Sequence, residues 1–278
     1  GWGIPLFLLG AVTTPFYDLI ARNSEQLLAI IATLPPAITA FIGGQDAARF
    51  LTPAGFLELR YFAFLPIALG AYGVTAGSGM LAADEERGLL DFILAHPASR
   101  AAVYWGRFLS LSVGSGILII CAWLGLWVGV LRAVKLDFSL GQRALPFVSA
   151  YVFTLCCAAL AVALSMVVPS RVAAAMISGI YVLASHIITN LARAIPGLDA
   201  WSTASIVTYF QSDAMLGFNF VKLYALLGAL VLLALFGWFG FRRRDIRVAG
   251  DGGWQWPFLQ RRLLKRKSRE SVFHRPKT

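Results

Sequence analysis

Charge is what this 278-residue chain has least of: 14% of its residues are charged, where soluble domains carry about 25%. Apolar residues make up 58% and the mean hydropathy is +0.72. A water-soluble globule needs more polar surface than this chain can supply. A disordered chain and a disulfide-rich secreted domain are excluded on the same grounds. Chemistry-bearing residues are also few. The three histidines, His96, His186 and His274, stand far apart. The three cysteines, Cys121, Cys156 and Cys157, all lie in apolar runs and form no CxxC pair, so they read as buried small hydrophobes. No GxxxxGK[ST] phosphate loop, HExxH or GxSxG occurs anywhere.

What remains is apolar length. A spanning helix needs roughly 20 mainly apolar residues, and six stretches qualify: 2–20, 61–83, 108–131, 145–168, 172–189 and 223–241. Their hydrophobicity does not alternate, which argues against a β-barrel, and helix is the form that satisfies backbone polar groups in lipid. The expected fold is an all-α polytopic membrane protein with six transmembrane helices. Gly73 and Gly77 have GxxxG spacing within the second stretch, a helix-packing device. No span centre carries Lys, Arg, Asp or Glu, which argues against a carboxylate proton relay and against a voltage sensor. His186, with Asn190 one turn on, is an ionisable residue inside the fifth stretch. It reads as a neutral imidazole bonded to a neighbouring helix.

The loops carry the rest. Residues 23–60 contain the apolar run 27–34, Pro35-Pro36, Gly43-Gly44 and Thr52-Pro53, a pattern for short interfacial helices. Residues 84–107 run Asp84-Glu85-Glu86-Arg87-Gly88-Leu89-Leu90-Asp91-Phe92-Ile93-Leu94, then Pro97, Ser99 and Arg100. Leu89, Leu90, Ile93 and Leu94 make one apolar face of a short helix, the acids suit its N-terminus and Pro97 ends it. Such a helix across the mouth of two spans is a natural lever for force from a partner.

Positive charge is concentrated at one end. Residues 241–278 hold 12 Lys/Arg against 3 Asp/Glu, and residues 1–240 hold 12 against 11. Arg242, Arg243 and Arg244 follow the sixth stretch. Trp254 and Trp256 are interfacial types, and Arg261, Arg262, Lys265, Arg266 and Lys267 form a polybasic cluster around Leu263 and Leu264. An anionic membrane surface is the expected partner of this tail, rather than nucleic acid. Counting Lys/Arg puts 16 on the side of the tail and of the 84–107 loop and 8 on the other, so both termini are expected in the cytosol. The organisation expected is a membrane domain over 1–247 and a basic cytosolic tail over 248–278.

The 84–107 loop resembles the signature of ABC-2 type transporter permease subunits, approximately EEExGTLxLLLxxPxSR. Glu85, Glu86, Gly88, Leu90, Leu94, Pro97, Ser99 and Arg100 match it, while Leu89 stands at the usual Thr. Two further segments are similar to the same family. Leu34-Pro35-Pro36, Gly43, Thr52-Pro53 and Gly55-Phe56-Leu57 look like its first external loop, and residues 241–246 like its ending after the sixth span. The resemblance covers residues 1 to about 247. It implies the ABC-2, type V exporter-like permease fold, with a second permease subunit completing the pathway as a homo- or heterodimer. It also implies two separate ABC ATPase subunits, with ATP and Mg bound there and no cofactor on this chain. Asp84, Glu85, Glu86, Arg87, Gly88, Leu90, Asp91, Leu94, Pro97 and Arg100 would then be the ATPase-coupling residues. The setting implied is a prokaryotic plasma membrane, and the usual direction is export. The chain opens at Gly1, and the family often places an interfacial helix ahead of its first span. Two other classes stay open: a scaffold or mechanical signalling subunit moved by an ATPase, and a membrane-integral enzyme. Transport in reconstituted vesicles separates the first from a permease. Convergent polar residues at one membrane depth would mark the second.

Overall fold

The computed structural model describes residues 1–24, 51–86, 99–133, 140–168, 170–194, 199–214 and 217–243, and the single positions 26, 29 and 33. Every regular element among them is helical. Six helical stretches are long and apolar enough to cross a membrane: Gly3–Arg22, Pro53–Gly79, Arg100–Arg132, Ala144–Val167, Arg171–Ala192 and Phe220–Arg243. These are the six stretches read from hydropathy, with shifted ends.

The first span is α1 (Gly3–Thr13) and α2 (Phe16–Arg22), joined at Thr14-Pro15. Pro15 cannot donate to the preceding turn, and the Thr14 hydroxyl donates to the Gly10 carbonyl at 2.6 Å. The second span opens at Pro53, eight residues before position 61. The Thr52 hydroxyl accepts from the Gly55 N–H at 3.1 Å and Pro53 takes the first turn, a strong helix start. α3 (Pro53–Leu57) passes through a π-helical turn over Glu58–Phe62 into α4 (Leu65–Gly79). This earlier start brings Glu58, 8% exposed, into the span. The reading that no span centre carries an acid is unaffected, since Glu58 lies near the start of Pro53–Gly79.

α5 (Ala82–Glu86) is a single short helix, and α6 starts at Arg100 and runs to Arg132. Residues 100–107 are thus helix, where a loop was expected. The Ser99 hydroxyl caps α6 by accepting from the Ala102 N–H at 3.1 Å. α7 (Leu140–Val167), α8 (Arg171–Ala194) and α10 (Phe220–Arg243) complete the bundle. Between α8 and α10 lie α9 (Asp199–Ser202) and a 3-10 turn over Ile206–Tyr209.

α7 is the central helix and packs on α4, α6, α8 and α10. Many of its inward residues are small: Ala150, Thr154, Cys156, Cys157, Ala158 and Ala161 are fully buried, alongside the larger Phe153. Gly77 of α4 is pressed against the Ala158 carbonyl, and a Cβ built on Gly73 would lie 2.7 Å from the Thr154 carbonyl oxygen. The GxxxG pair thus finds its partner in α7, backbone on backbone. A second pair, Gly125 and Gly129 on α6, receives α1 in the same way at Phe7 and Gly10. Of the cysteines, Cys156 and Cys157 are buried as expected, while Cys121 is only half-buried.

The segment between α8 and α10 is irregular backbone that sits deep, with Ile206, Val207 and Phe210 buried. Its polar groups are met by side chains, the condition for such backbone in a membrane protein. The Ser205 hydroxyl donates to the Ser185 carbonyl at 2.8 Å, and the Thr189 hydroxyl lies 2.7 Å from Ser205 Oγ and 2.9 Å from Thr208 Oγ1. Gln211, fully buried, donates through Nε2 to the Asn219 carbonyl and accepts the Asn219 N–H at 2.6 Å. Asn219 in turn caps α10, its Oδ1 accepting from the Val221 N–H at 2.9 Å.

Candidate functional site

The arginine end of the bundle is built where α4 stops and α6 and α8 begin. Asp84 on α5 forms an ion pair with Arg107 of α6. Arg107 Nη1 also donates to the Met80 carbonyl at 3.0 Å, one of the acceptors left open at the end of α4. Arg107 therefore clamps the short acidic helix onto the second and third spans at once. Arg100, the first residue of α6, reaches the other end of the chain. Its Nη1 lies 3.4 Å from the carbonyls of Phe241 and Arg242, which close α10. A cation there complements the helix C-terminus.

Below these arginines an aromatic cluster locks α6 to α10. The Tyr104 hydroxyl donates to the Ala234 carbonyl at 2.7 Å. Its ring lies against Trp105, Phe108, Trp238 and Phe241, with centroids 5.1 to 6.3 Å away. A displacement of α5 would thus be carried by charge and hydrogen bonds into α4 and α6, and by packing into α10.

The expected coupling residues fall in three groups. Asp84 and Arg100 are placed as above, Asp84 tied to α6 through Arg107 and Arg100 reaching from α6 to the end of α10. Glu85 and Glu86 lie in α5. Arg87, Gly88, Leu90, Asp91, Leu94 and Pro97 lie outside the described residues. Of the expected membrane-surface residues, Arg242 and Arg243 are exposed in the last turn of α10. Arg244, Trp254, Trp256, Arg261, Arg262, Lys265, Arg266 and Lys267 lie outside the described residues. The His186–Asn190 pair is local: the Asn190 amide donates to the His186 carbonyl within α8 at 2.8 Å.

Two cavities were not legible in the sequence. One is an apolar groove of about 550 Å³ between α4 and α8, lined among others by Ile67, Gly70, Val74, Ala175, Gly179 and Leu183. The other, about 450 Å³ and more open, lies toward α6 and is lined by Tyr72, Thr75, Gly79, Ser110, Arg107 and Arg171 among others. Thr75 and Arg171 line both. Arg107 and Arg171 entered the sequence reading only as topology charges. Their convergence depends on helices whose residues are 64 positions apart, which no local pattern displays.

A family model for ABC-2 family transporter proteins matches residues 24–246. The chain belongs to this family. Among curated proteins no sequence matches it significantly. Membership makes this ABC-2 protein a multi-pass membrane permease component of an ABC transporter. It fits the chemistry: the family match ends at residue 246, three residues beyond α10, and so takes in the arginine end and both cavities.

Proposed function

We propose that this ABC-2 protein is the permease half of an exporter driven by two separate ABC ATPase subunits. A second permease subunit would complete the pathway, in a prokaryotic plasma membrane with the arginine end cytosolic. The observation that carries the reading is the clamp of Arg107 on Asp84 and on the Met80 carbonyl. It makes the acidic segment at 84–86 mechanically continuous with two spans, which a lever from an ATPase requires. Phosphoryl transfer needs a phosphate cradle and metal ligands, and the chain has no phosphate-loop motif to offer. Hydrolysis is therefore assigned to the partner. Rigid-body rocking of the bundle would follow ATPase closure, with the α4–α7 and α1–α6 contacts moving as units.

The apolar side of the 89–94 segment should carry more of the coupling than its acids. Exposed ion pairs contribute only about 0–1 kcal/mol each. The test is ATP-dependent transport and ATPase rate of the complex in vesicles, for Leu90→Asp and for Glu85→Gln. The expected outcome is that Leu90→Asp uncouples hydrolysis from transport and Glu85→Gln does so less. Normal transport by both variants overturns the lever. The polybasic segment 261–267 is proposed to lie on the cytosolic membrane surface, each base contributing about 1 kcal/mol at low salt. Binding of a 250–278 peptide to vesicles should then need anionic lipid and weaken with salt.

A further inference from the structure

The helices of this bundle meet in two different ways. Within one group backbone lies on backbone, Gly73 and Gly77 of α4 against Thr154 and Ala158 of α7. α10 belongs to the same group: a Cβ built on its Gly237 would lie 3.7 Å from the Ala163 Cα of α7, and its Leu226 carbonyl accepts from Cys156 Sγ at 3.1 Å. In a second group, Gly125 and Gly129 of α6 meet Phe7 and Gly10 of α1. Between the groups the contacts are tyrosines. A Cβ built on Gly114 of α6 would lie 3.5 Å from the Tyr72 hydroxyl, and one on Gly116 would lie 3.7 Å from the Tyr151 ring. The Tyr61 hydroxyl, in the second span, donates to the Ala122 carbonyl of α6 at 3.1 Å. Tyr151 of α7 donates to the Ser112 carbonyl of α6 at 3.3 Å, and Tyr104 of α6 crosses the other way to the Ala234 carbonyl of α10.

The two kinds of contact differ in what parting them costs. Separating two fitted backbones forfeits many close contacts at once. A carbonyl has two lone pairs, so Ala122, Ser112 and Ala234 keep their helical bonds when a tyrosine leaves, and each break forfeits one ordinary hydrogen bond. The line between the groups is already parted at the arginine end. The cavity of about 450 Å³ lies there, with Thr75 and Gly79 of α4 on one side and Arg107, Ser110 and Leu111 of α6 on the other, among others. At the far end the line is closed. α1 runs alongside α6 in the same direction, Gly3 at Cys121 and Gly10 at Gly129, so α2 lies away from the arginines. There the Tyr17 ring lies 5.5 Å from that of Phe56 in α3, and its hydroxyl donates to the Leu51 carbonyl at 3.0 Å. We infer that α1, α2 and α6 form one body that pivots at Tyr17 against α4, α7 and α10, with Tyr61, Tyr104 and Tyr151 as the latches of the seam. The seam is a property of the chain itself. Its use, opening when α5 is drawn through Arg107, rests on the lever proposed above.

The test reads opening by labelling thiols of the full chain in neutral detergent with N-ethylmaleimide, resolved peptide by peptide in a mass spectrometer. Ser115 of α6 stands between Gly114 and Gly116 and is wholly buried. Its hydroxyl has no hydrogen-bond partner among the described residues, so Ser115→Cys puts a thiol at the seam with no bond lost. That thiol should react slowly in the parent background. Tyr61→Phe, Tyr104→Phe and Tyr151→Phe keep their rings, and each should speed its labelling about fivefold, the population change given by one hydrogen bond. The triple variant should be faster than any single one, and the single variants serve if it fails to fold. Tyr17→Phe, at the pivot, should leave the rate unchanged. Cys156 and Cys157, fully buried within the second body, should stay slow throughout. An unchanged rate at position 115 in the three latch variants overturns the seam. An equal rise at Cys156 and Cys157 also overturns it, because the hydroxyls would then hold the whole bundle and not one line through it. A rise in Tyr17→Phe as large as in the latch variants overturns the pivot. None of these readouts needs an ATPase or a substrate, so the seam and the exporter reading fail separately.

Discussion

α7 and α10 are both strongly apolar, yet 78% of the span in α7 is buried inside the bundle and only 17% of the span in α10. The difference lies in size. α7 presents Thr154, Cys156, Cys157, Ala158, Ala161 and Ala163 inward, while α10 turns Val231, Leu232, Leu235, Phe236 and Phe239 outward. In water, burial would follow hydrophobicity. In lipid, helices gain nothing by hiding apolar surface from an apolar solvent, so close van der Waals contact between backbones decides which face turns inward. The comparison teaches that the closest helix contacts of α7 are made at small residues, even though large side chains such as Tyr61, Phe62 and Phe153 are buried as well.

The largest way to break the pattern is to enlarge a residue where two backbones meet. Gly77 of α4 lies against the Ala158 carbonyl so closely that even a methyl group would overlap it. Backbone cannot swing aside as a side chain can, so the helices must separate. Overpacking of an ordinary core costs about 1–3 kcal/mol, and this contact should reach or exceed the upper end. Gly77→Leu is expected to abolish a monodisperse folded peak in size-exclusion chromatography, and Gly77→Ala to lower thermal stability clearly. A Gly77→Leu protein as stable as the parent would show that α4 and α7 do not touch here.

How far this was legible follows from the same contrast. Six spans could be read because a run of about 20 apolar residues is itself the physical requirement. The partner of Gly73 and Gly77 could not, because small residues announce a contact without saying with which helix. Gly125 and Gly129 went unremarked although they have the same spacing. The start of the second span was misjudged because Glu58 and Arg60 resemble a loop. The signal present there was Thr52-Pro53, a cap followed by proline at the first turn. The arginine end was half legible. The acids of 84–86 stood out as a motif, while the tie of Asp84 to Arg107 depends on a chain reversal that brings residues 23 positions apart together. Much of the lever segment and all of the tail over 248–278 lie outside the described residues.

A middle-sized effect is expected where α10 does make a specific contact. The Tyr104 hydroxyl donates to the Ala234 carbonyl at 2.7 Å, and the ring is fully buried among Trp238 and Phe241. Tyr104→Phe keeps the ring and removes the bond. The net loss should be about 1 kcal/mol, because the carbonyl keeps its helical position and only one donor disappears. Thermal unfolding in detergent should register a modest fall. A fall as large as that of Gly77→Ala would mean that α10 is held by this hydrogen bond more than by packing of the ring.

The smallest effect is expected on the open side of α10, and its sign is opposite. A Cβ built on Gly228 meets nothing within 4 Å. No neighbouring backbone needs the space, so the residue has no packing reason to be glycine within a single chain. Alanine in a helix interior is favoured over glycine by about 1 kcal/mol, because glycine gives up more backbone freedom on folding. Gly228→Ala should therefore leave stability unchanged or raise it by up to that amount, where the same substitution at Gly77 lowers it. The pair isolates helix contact from helix propensity, since the chemical change is identical and only the neighbour differs. Thermal unfolding of the two variants side by side is the measurement. A fall in Gly228→Ala stability that grows with protein concentration would place a second copy of the chain against this face. A fall that ignores concentration would show that the space beside Gly228 is filled from within the same chain.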